Sequence, residues 1–280
     1  MPGAIQLSDA RQPRYAAGSL TQGLVCAIHW GWQHRAVFNS AQRTRGGGVT
    51  VGIVGGNSHI RHWGGLSGIG WSTYTAGQYV TACNDNDVGL SGSTIYCVQR
   101  HTDTTLRIAT LFGAFDNGTL TRRCGAHAPF SDGNVYWDYG GATDGSTRVI
   151  WTGLGGKSVN RLNRWCFVAA PRGMEIWHQG ILRNSHATAA SRTTAADDRF
   201  LINGGNANSD SSSDFAEFYL FLVWNRGLSQ GEVRRIDSNP WQVFATSDMQ
   251  RSFVPGSVAS TVYVPGLDQR NVRHSGRFAA

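Results

Sequence analysis

The sequence predicts an all-β protein built as an antiparallel β-sandwich. Helical periodicity is nearly absent from the 280 residues, whereas short alternating or apolar runs recur throughout, separated by Gly, Asn, Asp and Ser. The chain has 36 glycines, 40% hydrophobic residues and only 15% charged residues, which fits a large core buried between short strands joined by turns. We therefore expect a single all-β domain.

The clearest predicted elements are seven strands, a hairpin turn and one short helix. Gln179 and Gly180 predict the turn. Ser229, followed three residues later by Glu232, predicts a capping box at the start of the helix, which ends at Asn239. The strands, each bounded by turn-forming residues, are 49–54, 135–139, 149–152, 165–170, 174–178, 199–202 and 215–224.

The longest predicted strand, residues 215–224, has two different sides. Its even-numbered residues are all apolar and are expected to face the main core. Its odd-numbered residues mix Glu217 with aromatic side chains, so we expect a second layer, a ligand or a partner chain to cover them. Tyr219 and Phe221, on that side, are candidate subunit contacts.

Two segments outside the regular pattern predict arms that flank the sandwich. The N-terminal arm is residues 1–19, the domain is residues 20–245 and the C-terminal arm is residues 246–280. Prolines in the C-terminal arm disfavour central strand pairing, and its apolar pieces need cover. We expect it to contact other subunits of a homo-oligomer or to fold back as an edge strand. Its candidate contact residues are Tyr263, Arg270, Arg273 and Arg277.

Charge and hydropathy exclude two classes of partner. The net charge is +7, but basic clusters are short and scattered, so we expect no nucleic-acid partner. No stretch approaches the roughly 18 apolar residues of a membrane span, so we expect no membrane partner.

The N-terminus lacks a basic start and an apolar core, which predicts no secretory signal and folding in the cytoplasm. The five cysteines form no CxxC pair and are expected to be free and mostly buried.

Motifs for metals, cofactors and nucleophiles are weak. The oxygen-rich stretches 84–87 and 206–214 are more typical of loops than of calcium sites. His59 and His62 have odd spacing on an extended segment, which places their rings on opposite faces. There is no G-x-S-x-G sequence, and the glycine runs lack a phosphate or dinucleotide fingerprint. We expect no metal and no cofactor.

The closing segment of the domain resembles a known family. Residues 215–233, FAEFYLFLVWNRGLSQGEV, and 239–244, NPWQVF, are similar to the closing strand and helix of laminin G-like jelly rolls in the concanavalin A-like lectin and glucanase superfamily. Residues 19–25, 135–141 and 174–180 resemble the opening, a middle strand and a hairpin of such domains. The NPWQ ending is similar to versions encoded by tailed bacteriophages and prophages. The resemblance covers about residues 20–245 and implies a concanavalin A-like jelly roll.

Comparison with the enzymes of that superfamily argues against catalysis. Those enzymes cut β-glucans with carboxylates in an E-x-D-x-x-E arrangement, about 5 Å apart on one face of a strand. This chain has three glutamates, Glu175, Glu217 and Glu232, and none has another acid two to four residues downstream. We therefore expect a structural or hydrogen-bonding Glu217 and no catalytic residues. A glycan-cleaving glycoside hydrolase is the alternative of another class.

Aromatic residues are the best sequence indication of a ligand, because a sugar ring stacks on Trp or Tyr while polar side chains bind its hydroxyls. Trp30, Trp32, Trp63 and Trp71 lie in glycine-rich surroundings typical of loops and are the candidate glycan-binding residues. The alternative for each of them is a place in the core or an interface.

The function that the resemblance implies is that of a non-enzymatic bacteriophage virion protein made in the host cytoplasm. Capsid decoration or cementing is the first hypothesis, with the major capsid protein, tail proteins and further copies of the chain as partners. In the second hypothesis, a tail-fibre or receptor-binding protein uses the same sandwich to bind host glycans. Fold alone does not decide between them, because this sandwich supports many functions.

Overall fold

The computed structural model describes part of the chain. The described residues are 19–30, 37–39, 52–54, 58–63, 66–71, 79–114, 119–159, 161–188, 190–193, 199–204 and 214–243. Among them, the side chains at 19, 29–30, 37–39, 52–54, 58–62 and 67 lie outside the description. Apart from Ser19, the predicted arms also lie outside it.

The described residues form sixteen strands and one α-helix. The helix is α1 (Gln230–Ser238). The strands are β1 (Leu24–Trp30), β2 (Val37–Asn39), β3 (Gly52–Val54), β4 (Ser58–Trp63), β5 (Leu66–Trp71), β6 (Tyr79–Asn84), β7 (Ser93–His101), β8 (Phe112–Ala114), β9 (Cys124–His127), β10 (Val135–Tyr139), β11 (Arg148–Trp151), β12 (Asn163–Ala170), β13 (Gly173–His178), β14 (Ile181–His186), β15 (Arg199–Ile202) and β16 (Ala216–Trp224).

These strands pair antiparallel in two sheets. The first sheet has nine strands in the order β14-β13-β12-β7-β16-β1-β5-β4, with β2 also paired to β1. The second sheet has seven strands in the order β11-β10-β9-β8-β15-β6-β3. Aromatic rings pack between the sheets: Phe112 of the second lies 5.3 Å from Phe167 and 5.8 Å from Phe221 of the first, centroid to centroid. The predicted antiparallel β-sandwich is confirmed.

The seven predicted strands agree closely with observed ones. Residues 135–139 and 199–202 match β10 and β15, and four other predicted strands differ from the observed bounds by one or two residues. The seventh matches β3 at 52–54, while 49–51 lie outside the described residues. Gln179 and Gly180 have φ of 55° and 72°, the left-handed conformations of a two-residue hairpin turn. That turn joins β13 to β14, as predicted.

The predicted register of β16 is wrong in its second half. Its pairing with β7 shifts between Phe218 and Leu220, where the bulge adds Tyr219 and reverses the alternation. Phe218 therefore faces the core between the sheets, but beyond the bulge Phe221 takes that place. Leu220 and the later even-numbered residues instead face the outer side of the first sheet. All nine side chains of β16 are buried, so the bulge changes their direction and not their burial.

A second layer of the same chain covers that outer side. The helix α1 begins after Ser229, whose side chain accepts a hydrogen bond from the Glu232 amide, while Glu232 accepts one from the Ser229 amide. This confirms the predicted capping box. Val233 and Ile236 of α1 pack with Leu222 and other residues of β16 in a second apolar cluster. The cover expected over this strand is thus intramolecular.

The cysteines have the environment that the sequence predicts. All five cysteines are buried and free, as predicted. None of the helices formed by the described residues is long and apolar enough to cross a membrane.

Candidate functional site

The four tryptophans predicted to bind glycans have different surroundings. Trp71 is 2% exposed and packs edge-on against Phe218, with the ring centroids 6.3 Å apart, so it is a core residue and the prediction for it is wrong. Trp63 is half-buried beside the second apolar cluster, with the Arg100 guanidinium 5.8 Å from its ring centroid. The Trp30 side chain and all of Trp32 lie outside the described residues.

The residues predicted to contact other subunits are not confirmed as such. Tyr219 and Phe221 are both 0% exposed, because other parts of the same chain already cover them, so neither offers a surface to a neighbour. The Tyr219 hydroxyl donates to Glu217 at 2.5 Å, and the Phe221 ring packs against Phe112. Tyr263, Arg270, Arg273 and Arg277 lie outside the described residues.

The oxygen-rich stretches have protein cations as partners. Asp85, in the first stretch, forms an ion pair with Arg192 at 2.6 Å, and both side chains are fully buried. Asp214, at the end of the second stretch, forms an ion pair with Lys157 at 2.6 Å; the rest of that stretch lies outside the description. In the part of the chain that the structure describes, no group of three or more His, Cys, Asp and Glu side chains is placed to hold a metal ion.

Each of the three glutamates takes part in a structural contact. Glu217 is 2% exposed, Glu175 is 5% exposed and Glu232 caps α1. The Glu217 carboxylate accepts hydrogen bonds from Arg100 and Tyr219. The Glu175 carboxylate accepts them from Arg172 and Trp177. The Glu232 carboxylate accepts them from Arg226 and Ser229.

A cluster of aromatic side chains lies on the outer face of the second sheet, and we call it the aromatic platform: His127, Phe130 and Tyr136. Strand alternation places Tyr136 there, because Val135 and Trp137 on either side of it point into the core. His127 is its neighbour across β9 and β10. The ring centroids are 5.7 Å apart for Phe130 and Tyr136, and 4.9 Å apart for His127 and Phe130, both edge-on.

A tight loop holds Phe130 beside Tyr136. The Phe130 amide donates to the Asn134 carbonyl at 2.8 Å, and the Gly133 amide donates back to the Phe130 carbonyl at 3.0 Å. Gly133 has φ of 82°, a conformation that favours glycine. Asp132 accepts a hydrogen bond from the Asn134 amide at 2.9 Å, which closes the turn. The Phe130 ring therefore has a fixed position at the edge of the platform.

Polar contacts fix the Tyr136 ring at its hydroxyl group and over its face. Its hydroxyl donates to Asp132 Oδ2 at 2.5 Å, and the Arg148 guanidinium lies 4.9 Å from its ring centroid. Burial raises the pKa of Asp132, but the hydrogen bonds from Tyr136 and Asn134 together outweigh it and lower that pKa, so this exposed carboxylate is charged at neutral pH. The platform thus carries an acceptor group at the edge of a rigid aromatic ring.

Asp138 anchors the cations next to the platform. It points to the same face as Tyr136 two residues earlier and is 0% exposed. It accepts a hydrogen bond from Arg148 Nε at 2.5 Å and forms an ion pair with Arg123 Nε at 2.8 Å. The hydrogen bonds to Asp138 raise the pKa of Arg148. Because both guanidinium groups are directed to one buried carboxylate, Arg148 is held over the Tyr136 ring.

The platform was not predicted from the sequence, although one signal in the sequence indicates it. Within residues 135–139, Val135, Trp137 and Tyr139 alternate with Tyr136 and Asp138. The first three are apolar or aromatic and face the core, so Tyr136 and Asp138 belong to the outer face. A tyrosine and an acid on the outer face of a strand, next to a Ser-Asp-Gly-Asn turn, combine an aromatic ring with hydrogen-bonding groups. Such a combination of ring and polar groups is the chemistry that binds a sugar.

Comparisons with known proteins show a fold and no family. No protein-family model matches the chain, and no curated protein sequence matches it. The solved binding domain of Paraclostridial Mosquitocidal Protein 1 is similar, with a TM-score of 0.55 and 12% identity over 79% of this chain and 53% of that one. The binding domain of botulinum neurotoxin serotype G has a TM-score of 0.54 and 14% identity over 76% of this chain and 50% of that one.

A sialidase of Trypanosoma rangeli shares the same fold over a smaller part of its length. Its TM-score is 0.51, with 13% identity over 80% of this chain and 34% of that one. The chain therefore spans between a third and about half of the solved chains that it matches. At these identities the likeness establishes a β-sandwich of the kind found in toxin binding domains.

Proposed function

We propose that this protein is a non-catalytic glycan-binding sandwich carried on the surface of a bacteriophage particle. The observation that carries the glycan part is Tyr136, a half-buried aromatic ring held by Arg148 over its face and by Asp132 at its hydroxyl. A sugar would stack its C–H groups on the ring of Tyr136 or Phe130 and direct its hydroxyls to the polar groups around them.

The rigidity of the platform supports binding over a merely structural role. Asp132 and Asn134 hold the ring hydroxyl, and the loop hydrogen bonds hold Phe130, so a sugar would meet side chains that lose little freedom on binding. Nothing in the core requires Tyr136 to be aromatic, because its ring lies on the outer face and Val135 and Trp137 provide the core contacts. The two solved toxin domains to which the chain is similar are binding domains, which supports a binding role for the same fold here.

The contacts of the glutamates support a protein without hydrolase activity. Retaining and inverting glycosidases need two carboxylates that face one another across a groove open to substrate. Glu217 and Glu175 are buried and accept hydrogen bonds from neighbouring side chains, and Glu232 has its oxygens in a helix cap. None of these carboxylates is free to act on a bound glycan.

The virion part of the proposal comes from the sequence resemblance to phage jelly rolls. Capsid decoration is the form we favour, with contacts to other virion proteins or further copies supplied by residues 246–280; a tail-fibre or receptor-binding protein is the second form. In both forms the aromatic platform faces outward from the particle and binds polysaccharide of the host surface.

Screening against bacterial surface polysaccharides tests the glycan part. We expect the full chain to bind at least one of them and Tyr136→Ala to weaken that binding about tenfold or more, which corresponds to roughly 1.4 kcal/mol of lost stacking and burial. Tyr79→Ala is the matched control, because Tyr79 is also a half-buried tyrosine of the second sheet, with the Arg199 guanidinium 5.8 Å from its ring centroid. Equal binding by wild type and Tyr136→Ala would contradict the site, and no binding at all would contradict the function.

Purified phage particles test the virion part. We expect the full chain to co-purify with particles, and a chain lacking residues 246–280 to melt at nearly the same temperature yet to be absent from particles. The measurement is quantitative mass spectrometry of gradient-purified particles next to thermal unfolding of the isolated proteins. Normal incorporation of the shortened chain would contradict the role of the arm, and a full chain found only outside particles would contradict a virion protein.

A further inference from the structure

One ring nitrogen on the aromatic platform is free to accept a hydrogen bond. His127 Nδ1 lies 2.8 Å from the Ala109 carbonyl oxygen, and a carbonyl can only accept, so Nδ1 carries the proton. In a neutral imidazole this leaves Nε2 as the acceptor. His127 is 9% exposed, and its Nε2 has no hydrogen-bond partner in the described part of the chain.

The surroundings of His127 keep it neutral. Burial lowers the pKa of His127, and the guanidinium groups of Arg123 and Arg148 lower it further, against opposing effects of the Ala109 carbonyl and Asp138. The imidazole is therefore uncharged at pH 7, and its Nε2 presents a lone pair beside the edges of the Phe130 and Tyr136 rings. An aromatic site with an unused acceptor suits a ligand that carries hydroxyl donors.

The charged groups around the platform are two arginines and three aspartates. Arg123 and Arg148 contribute two positive charges, Asp132 and Asp138 contribute two negative charges, and Asp144, whose charge raises the pKa of Arg148, contributes a third. The two cations are directed to Asp138, which is buried, while Asp132 is exposed at the edge of the Tyr136 ring. The side chains of Arg123 and Arg148 are 30% and 23% exposed, but their charge is offset by the buried Asp138. The exposed Asp132 carboxylate therefore favours hydroxyl groups and repels an acidic group.

We propose that the platform selects neutral sugars over acidic ones and that His127 Nε2 accepts a hydrogen bond from a sugar hydroxyl. This inference rests on the proposed glycan-binding function, to which it adds the class of glycan and a binding residue. His127 thus has two different tasks, since Nδ1 holds the imidazole on the Ala109 carbonyl and Nε2 contacts the ligand.

Two substitutions separate these tasks. In His127→Asn the side-chain amide nitrogen takes the place of Nδ1 and keeps a donor for Ala109, but the Nε2 acceptor is lost. In His127→Gln the side-chain amide reaches the place of Nε2, where its oxygen restores an acceptor. We expect His127→Asn to melt near the wild-type temperature and to bind neutral sugars about five- to tenfold more weakly, as expected for one neutral hydrogen bond. His127→Gln is expected to bind more tightly than His127→Asn.

The probes are methyl glycosides of glucose, galactose and mannose, each paired with its uronate, in which C6 is a carboxylate. Titration of the full chain followed by NMR is expected to show at least one neutral glycoside binding at least tenfold more tightly than its uronate at pH 7. In wild type that affinity should fall as acid protonates Nε2, and it should change less with pH in His127→Asn.

The outcomes distinguish this inference from the proposed function. Uronates that bind as tightly as their neutral partners, or a His127→Asn protein that binds like wild type, would overturn the inference. If Tyr136→Ala still weakens binding, the proposed function stands. If wild type bound none of these sugars and no polysaccharide in the screen, both the inference and the proposed function would be overturned.

Discussion

Replacing Phe112 by alanine is expected to lower the free energy of unfolding by about 3–5 kcal/mol. The Phe112 ring is fully buried and contacts rings of both sheets, with Phe167 at 5.3 Å, Phe200 at 5.7 Å and Trp137 at 5.9 Å. Removing it opens a cavity where the two sheets meet, and rings held from several strands cannot all move to fill it. Urea denaturation followed by tryptophan fluorescence measures the change.

Leu120→Ala is the control for that measurement. Leu120 is 56% exposed in a 3₁₀ helix of the described chain, so its truncation removes little buried surface and should change the unfolding free energy by about 0.5 kcal/mol or less. A Phe112→Ala protein as stable as Leu120→Ala would show that the two sheets do not pack through Phe112.

Replacing Arg192 by methionine is expected to cost about 3–5 kcal/mol as well, for an electrostatic reason. Arg192 and Asp85 are both fully buried and form an ion pair at 2.6 Å. Arg192 also donates to the backbone carbonyls of Asp85, Gly89 and Arg122, at 2.8, 3.2 and 3.1 Å. Methionine fills a similar volume but leaves the Asp85 carboxylate buried without its cation.

Arg161→Met provides the matched control, because Arg161 is exposed and forms no ion pair with the residues that the structure describes. We expect Arg161→Met to change the unfolding free energy by about 0.5 kcal/mol or less in the same chemical denaturation series. If Arg192→Met unfolded at the same urea concentration as Arg161→Met, the buried ion pair would contribute nothing to the fold.

The fold could be predicted because its signals are local. The alternation of Val135, Trp137 and Tyr139 indicates a strand wherever it occurs, and Ser229 with Glu232 indicates a helix start from four residues. The direction of the later β16 side chains could not be predicted, because a bulge depends on how two distant strands pair. One extra residue at Tyr219 was enough to move Leu220 to the other face.

The site was harder to predict than the fold because its residues come from separate segments. His127, Tyr136 and Arg148 meet only through the pairing of β9, β10 and β11, and the register of those strands cannot be obtained from the sequence. Glycine-rich surroundings indicated loops around the tryptophans, but residue 71 ends a strand that packs on the core, so its indole is buried. Tyrosine and phenylalanine with polar groups beside them were a better indication of a ligand site than tryptophan in glycine-rich segments.

A crystal structure of the full chain with a bound neutral sugar tests the central claim most directly. We predict a sugar ring in contact with the Phe130 or Tyr136 ring and one of its hydroxyls about 3 Å from His127 Nε2. A sugar bound beside Trp63 and Arg100 instead, with no sugar in contact with the aromatic platform, would contradict the account.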